Sequence, residues 1–232
     1  MEKSTTKLAP KVLFFDVNES LLDLSNMKKS IGKIVNGRDD LLSLWFSTLL
    51  HYSLVTTASR QFTDFGSIGS AALKMVAANH NIQLSDEQTK EAMLAFNSLP
   101  PHPEVKEALI LLKQTGYKMV ALTNSSKKGM ETQLKNAEID IYFDKQLSVQ
   151  SFGKYKPDSD VYHWASNELG VKNNESMMIA AHGWDVAGAI WAGWRAAFIN
   201  RPGQQLYPLA PETEINEINL LKIAKKLAAL KV

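Results

Sequence analysis

The sequence predicts an α/β fold, a parallel β-sheet flanked by helices, with a block of helices inserted into it. Three observations lead there. Short apolar runs recur along the 232 residues, stretches with helical spacing separate them, and the interval 22–100 breaks that rhythm. Short apolar runs suit strands buried on both faces of a parallel sheet, and their alternation with helices is the pattern of a doubly wound domain.

In chain order, Val12-Leu13-Phe14-Phe15 is the first run. Residues 22–100 then read as consecutive helices with apolar spacing, as in Leu41-Leu42-Leu44-Trp45 followed by Leu49-Leu50, and are assigned to a helical cap. Pro100-Pro101-His102-Pro103 closes the insert; prolines disfavour helix in the residues before them and stiffen the connection, which marks a hinge or boundary. The core is therefore expected from residues 1–21 and 101–232. Within its second segment a helix over 103–114 leads to Met119-Val120-Ala121-Leu122, and a helix over 128–136 follows. A helix over 158–169 leads to Met177-Met178-Ile179-Ala180-Ala181, and one over 185–192 to Ala196-Ala197-Phe198-Ile199. Residues 215–230 read as an amphipathic helix covering the sheet.

A chain of this length buries a sizeable core, and 45% hydrophobic with 22% charged residues matches an ordinary globular protein. The 26 basic and 24 acidic residues are scattered in both signs for a net charge of +2, so neither nucleic acid nor an anionic membrane is expected as a partner. The absence of cysteine excludes a disulfide framework, a thiolate metal site and a cysteine nucleophile. The first ten residues show no secretory signal, and no apolar stretch approaches the roughly 20 residues of a membrane helix. The protein is read as cytoplasmic.

In an open α/β sheet, ligands bind beyond the carboxyl ends of the strands. Four polar clusters stand at or near such ends: Asp16-Val17-Asn18-Glu19-Ser20, Thr123-Asn124-Ser125-Ser126, Lys154-Tyr155-Lys156-Pro157 and His182-Gly183-Trp184-Asp185. Each alone is weak, because an aspartate ending a strand commonly forms the next turn. Together they place two carboxylates, a lysine and hydroxyl and amide groups in one cleft, a nucleophile with an electrostatic cradle.

The wording of these clusters resembles the haloacid dehalogenase superfamily. Phe15-Asp16, with Ser20 four residues on, looks like its first motif; Thr123-Asn124 resembles the second, Lys156-Pro157 the third and Trp184-Asp185-Val186-Ala187-Gly188-Ala189 the fourth. The resemblance implies a Rossmann-like core with an inserted cap. Its phosphatase branch carries a second aspartate two residues after the nucleophile, where this chain has Asn18, and an amide donates no titratable proton. The fourth motif offers one carboxylate, a poor set for magnesium, so neither metal nor cofactor is expected. A halide leaving group needs no proton. The Tyr155-Lys156-Pro157-Asp158 and Trp184-Asp185 wording is similar to the L-2-haloacid dehalogenases.

That resemblance implies that Asp16 displaces halide from a short 2-haloacid and that water then cleaves the resulting ester. It gives Lys156 and Asp185 the tasks of holding the nucleophile and positioning water, and makes Ser20 its partner. Thr123 and Asn124 take the places that bind substrate carboxylate and halide, Trp184 walls the pocket and Phe65 lines it. A homodimer is implied too, compatible with the apolar Leu49-Leu50 and Leu54-Val55 face.

Two departures stand out. Many family members have arginine after a cap tryptophan, whereas here Trp45 is followed by Phe46, whose ring edge must then take the place of the cation. Arg38 and Arg60 are expected in solvent. Glu19 and His182 replace small or amide residues beside the nucleophile, and a carboxylate–imidazole pair is a standard activated base, so a Glu19–His182 dyad is expected to activate the ester-cleaving water. His51, His80, His102 and His163 show no metal-site spacing. The rival readings are a phosphatase that has lost its acid and a non-catalytic binding protein on the same scaffold.

Overall fold

The computed structural model describes residues 8–230. Six strands form one parallel sheet in the order β3-β2-β1-β4-β5-β6: β1 Val12–Phe15, β2 Lys118–Thr123, β3 Lys145–Ser148, β4 Ser176–Ala180, β5 Arg195–Ile199 and β6 Ile215–Glu217. β1 is central, with Phe15 opposite both Ala121 and Ile179, and all four of its side chains are buried. This strand order changes direction at β1, so the crevice beyond its carboxyl end is where ligands bind in such sheets.

Between β1 and α5 (Val105–Gln114) the chain forms helices and turns with two isolated bridges, Asn18–Leu22 and Leu22–Pro101: α1 Ser25–Ile34, α2 Leu41–Ala58, α3 Phe65–Asn79, α4 Asp86–Leu94 and a 3-10 turn at Ala95–Ser98. This is the helical cap. Its helices begin where the sequence supplies caps: the Asp64 side chain accepts from the Ser67 amide, and Ser85 and Gln88 form a reciprocal capping box. α2 and α3 approach closely at Gly69, whose carbonyl accepts from Trp45 Nε1 at 2.8 Å; a Cβ there would lie 2.8 Å from Met93 Sδ. The chain leaves and re-enters side by side, with the Asp23 amide donating to Pro100 O at 2.8 Å and the His102 amide to Leu21 O at 2.9 Å.

The remaining helices alternate with the later strands: α6 Lys127–Asn136, α7 Ser159–Glu168, α8 Gly183–Trp191 and α9 Leu220–Ala229, which packs on α5. Two expectations change, and one strand, β3, was not anticipated. The 215–230 segment is not one helix, because Ile215 pairs with Ala197 as the edge strand β6 before the Asn219 side chain caps α9. β3 carried no apolar run, since Lys145 and Gln146 lie half-buried at the other edge. α2 overturns the statement that no stretch is long and apolar enough for a membrane: it has 18 residues with a mean hydropathy of 1.2. Its Leu41, Trp45, Leu49 and Ser53 stripe is buried while Leu44, Leu54 and Val55 are exposed.

Candidate active site

The sheet brings the polar clusters together around Asp16, the first residue after β1, whose amide donates to Ile179 O at 3.1 Å. Each carboxylate oxygen has its own donors. Oδ1 accepts from Lys156 Nζ at 3.0 Å; Oδ2 accepts from Ser20 Oγ at 2.6 Å and faces His182 Nδ1 at 3.0 Å. Ser20 is fixed in turn, its Oγ accepting the Ala181 amide at 2.8 Å. Lys156 is fully enclosed and also donates to Asp185 Oδ2 at 2.5 Å and to Leu122 O at 3.0 Å. Asp185, in the first turn of α8, accepts the Tyr162 hydroxyl at 2.7 Å. His182 Nε2 faces Glu19 Oε2 at 2.9 Å. Asp16, Lys156, Asp185, His182, Glu19 and Ser20 thus form one connected group.

The electrostatics follow from this order. Burial favours neutral Asp16, but the Lys156 charge and the His182 and Ser20 contacts outweigh it and hold the carboxyl well below the usual carboxylate range. Burial disfavours charged Lys156, yet the two aspartates raise it. Asp185 is pushed up by burial and by Asp16, against the pull of Lys156. For His182, burial again opposes charge, while hydrogen bonds to Asp16 and Glu19 and their charges carry it up to about 10. Asp16 is thus held as an anion between two groups that favour their cationic forms, Lys156 and His182.

Phe46, half-buried on α2, lies nearly parallel to the His182 ring, with centroids 6.0 Å apart at 25°; Trp184 does the same at 5.1 Å and 21°. Lys156 Nζ is 5.8 Å from the Trp184 ring centre. Phe65 packs against Tyr155, at 5.9 Å, and with Phe96, Ser125 and Gln133 lines a cavity of about 100 Å³. Thr123 Oγ1 accepts the Ser125 amide at 3.1 Å. Asn124 is turned to the lysine loop, its Oδ1 accepting the Lys156 amide at 3.0 Å and its Nδ2 donating to Lys156 O at 3.4 Å. Arg38 pairs with Asp40 in solvent and Arg60 is exposed.

Asn18 is not a loose substitute for an acid. Its Nδ2 donates to Ser125 Oγ at 3.0 Å and its Oδ1 accepts from Gln133 Nε2 at 2.9 Å, so both ends of the amide are held. Among the described residues no group of three or more His, Asp or Glu side chains is placed to hold a metal ion. The donor chemistry points the same way: the oxygens of Asp16 and Asp185 already face ammonium, hydroxyl and imidazole groups, so the set does not fit magnesium.

Sequence reasoning missed the outer partners. Gln204 Nε2 donates to Glu19 Oε1 at 2.8 Å, His102 Nε2 lies 3.0 Å from Glu19 O, and Arg201 Nη2 donates to Ser20 O at 2.9 Å while pairing with Glu104. Asn200-Arg201-Pro202-Gly203-Gln204 follows β5 directly, a further strand end that the same rule singles out.

The family model for haloacid dehalogenase-like hydrolases matches residues 32–199, well over half of the chain. The chain belongs to that family. Among this hydrolase's relatives, the (S)-2-haloacid dehalogenase 4A of Burkholderia cepacia is 29% identical over 210 residues, covering 89% of this chain and 91% of that protein. The (S)-2-haloacid dehalogenase of Pseudomonas sp. (strain YL) is 26% identical over 212 residues, 90% of this chain and 91% of that one. The fold matches the L-2-haloacid dehalogenase of Xanthobacter autotrophicus with chloropropionic acid covalently bound, with a TM-score of 0.87 at 21% identity over 93% of this hydrolase and 97% of that chain.

Proposed function

We propose that this hydrolase is an (S)-2-haloacid dehalogenase that works through an ester on Asp16. The observation that supports it above all is the Asp16 carboxylate, buried and ionised between Lys156 and His182, beside an Asn18 amide that has no proton to give a leaving group. Such a site suits displacement of a leaving group that departs as a stable anion. An Asp16 oxygen attacks C2 of a short 2-haloacid in line with the carbon–halogen bond, halide leaves with the bonding pair, and an ester remains. Water then attacks the ester carbonyl carbon, with its proton taken by the Glu19–His182 dyad and Asp185 and Lys156 holding the group in place. The attack regenerates Asp16 and frees a 2-hydroxy acid.

In this reading Phe46, Trp184 and Phe65 shape the substrate wall, and Thr123 and Asn124 border the substrate carboxylate and halide. The cap, over about residues 22–100, covers the core of 1–21 and 101–232 and keeps water from the displacement step. No metal takes part. We place the enzyme in the cytoplasm as a homodimer joined through the expected face of α2, reduced to the exposed Leu54 and Val55 with half-buried Leu50, because Leu49 is buried inside the cap.

The test is halide release from L- and D-2-bromopropionate with and without EDTA, beside an assay with p-nitrophenyl phosphate and magnesium. The expected result is bromide from the L isomer only, indifferent to EDTA and abolished by Asp16→Asn. In His182→Asn an adduct on Asp16 should accumulate, seen as added mass on the intact protein. Magnesium-dependent phosphate release without bromide would overturn the reading in favour of a phosphatase.

A further inference from the structure

Both nitrogens of His182 face carboxylate oxygens, Nδ1 that of Asp16 at 3.0 Å and Nε2 that of Glu19 at 2.9 Å. A neutral imidazole has one N–H, so one of those contacts would set a lone pair against an anion; only the imidazolium satisfies both. The parallel Phe46 and Trp184 rings add π faces, which favour a cation. In the resting site, then, the dyad's imidazole has no lone pair with which to take a proton from water.

The surrounding charges fix when that changes. Asp16 at the end of β1 and Glu19 in the following turn face the ring directly, while α2 and α8 lay Phe46 and Trp184 against it. Behind Asp16 stand Lys156 and Asp185, and behind Glu19 stand Gln204 and His102, the latter pushed toward neutrality by burial and Arg201. Of the two direct anions, only Asp16 loses its charge in the proposed reaction.

We propose that His182 is an imidazolium throughout halide displacement and becomes the base only when ester formation neutralises Asp16, so that the first half-reaction arms the second. This rests on the ester-forming function proposed above. As Asp16 oxygen bonds to C2 and halide departs, the anion facing Nδ1 disappears, and Nδ1–H releases its proton to solvent. Nε2–H stays on Glu19, which leaves the Nδ1 lone pair facing the esterified carboxyl. Water gives a proton to Nδ1 as its oxygen bonds to the ester carbon. The alkoxide then leaves, taking its proton from the carboxylic acid just formed, and Asp16 anion and His182 imidazolium are both restored. Carbon–halogen bond and water become carbon–hydroxyl, halide and one proton, so the cycle balances.

Two measurements test this. The first is the ¹⁵N ring shifts of labelled histidine through a pH titration, in the wild type and in Asp16→Asn, whose neutral amide mimics the esterified side chain; the signal is assigned by its loss in His182→Asn. The expected result is an imidazolium in the wild type at neutral and mildly alkaline pH, and a titration roughly 1 to 3 pH units lower in Asp16→Asn. A neutral His182 in the wild type, or the same titration in both proteins, overturns the proposal. The second is a single turnover of L-2-bromopropionate on excess wild-type enzyme with a pH indicator. At a pH set between the two titration midpoints, most of one proton per bromide should appear in the bromide phase, ahead of decay of the adduct mass; a proton that appears only with adduct decay at that pH overturns the proposal. Absence of bromide release defeats the dehalogenase function instead, and the titration still decides the coupling.

Discussion

Lys156 is the residue on which the buried charges turn. It has no solvent exposure and touches both Asp16 and Asp185, so removing its charge leaves two enclosed carboxylates facing each other. Breaking a buried pair by deleting one partner is far more damaging than never having had it, because the remaining charge stays desolvated. Lys156→Met is therefore expected to lower stability by about 3–5 kcal/mol in urea unfolding, and to release no halide at any concentration where it folds. Asp16, Lys156 and Asp185 were legible in the sequence because strand ends in this fold converge and because their wording resembles a family. Glu19 and His182 were legible as a departure from it. What the sequence did not show is that the imidazole touches Asp16 itself, or that Asn124 holds the lysine loop. Those contacts depend on side-chain direction, which spacing alone does not carry.

At the scale of elements, α8 positions Asp185 and the His182–Trp184 turn by coming very close to two loops. A Cβ on Gly188 would lie 2.4 Å from Pro157 Cβ and 2.9 Å from the Tyr162 hydroxyl oxygen; one on Gly183 would lie 2.2 Å from Gln205 O. Pro157 follows Lys156 directly, so a methyl group at 188 pushes on the lysine loop. Gly188→Ala should cost about 1–3 kcal/mol by overpacking, and its residual activity should fall further than its stability, measured as halide release against a urea midpoint. Elements were legible where burial is two-sided: β1, β2, β4 and β5 all announce themselves as apolar runs. β3 and β6 do not, because an edge strand is half-covered and Lys145, Gln146 and Glu217 sit partly in solvent. The helices of the cap were legible as a block, but which face of α2 meets α3 rests on the packing of Trp45 at Gly69.

For the whole molecule, the same imidazolium links folding to pH. His182 rises from the ordinary 6.5 to about 10 on folding, so the folded state holds its proton more tightly than the unfolded chain does. Its contribution to stability is complete below the lower value and disappears as pH climbs through the upper one. The wild type should therefore lose a few kcal/mol of stability across that alkaline interval, and His182→Asn should show a flatter profile in denaturant titrations at stepped pH. A different consequence lies in the place of β1. Val12 pairs with Lys118 on one side and Ser176 on the other, so the strand that leads into Asp16 has no neighbour nearby in the chain. During synthesis it must wait, unpaired and apolar, while the whole helical insert emerges, and it is enclosed only after β4 has left the ribosome. Contacts of such wide sequence separation form late and slowly. The first strand is thus exposed for a long stretch of synthesis, and the group around Asp16 can close only once the turn that carries His182 and Asp185 has emerged.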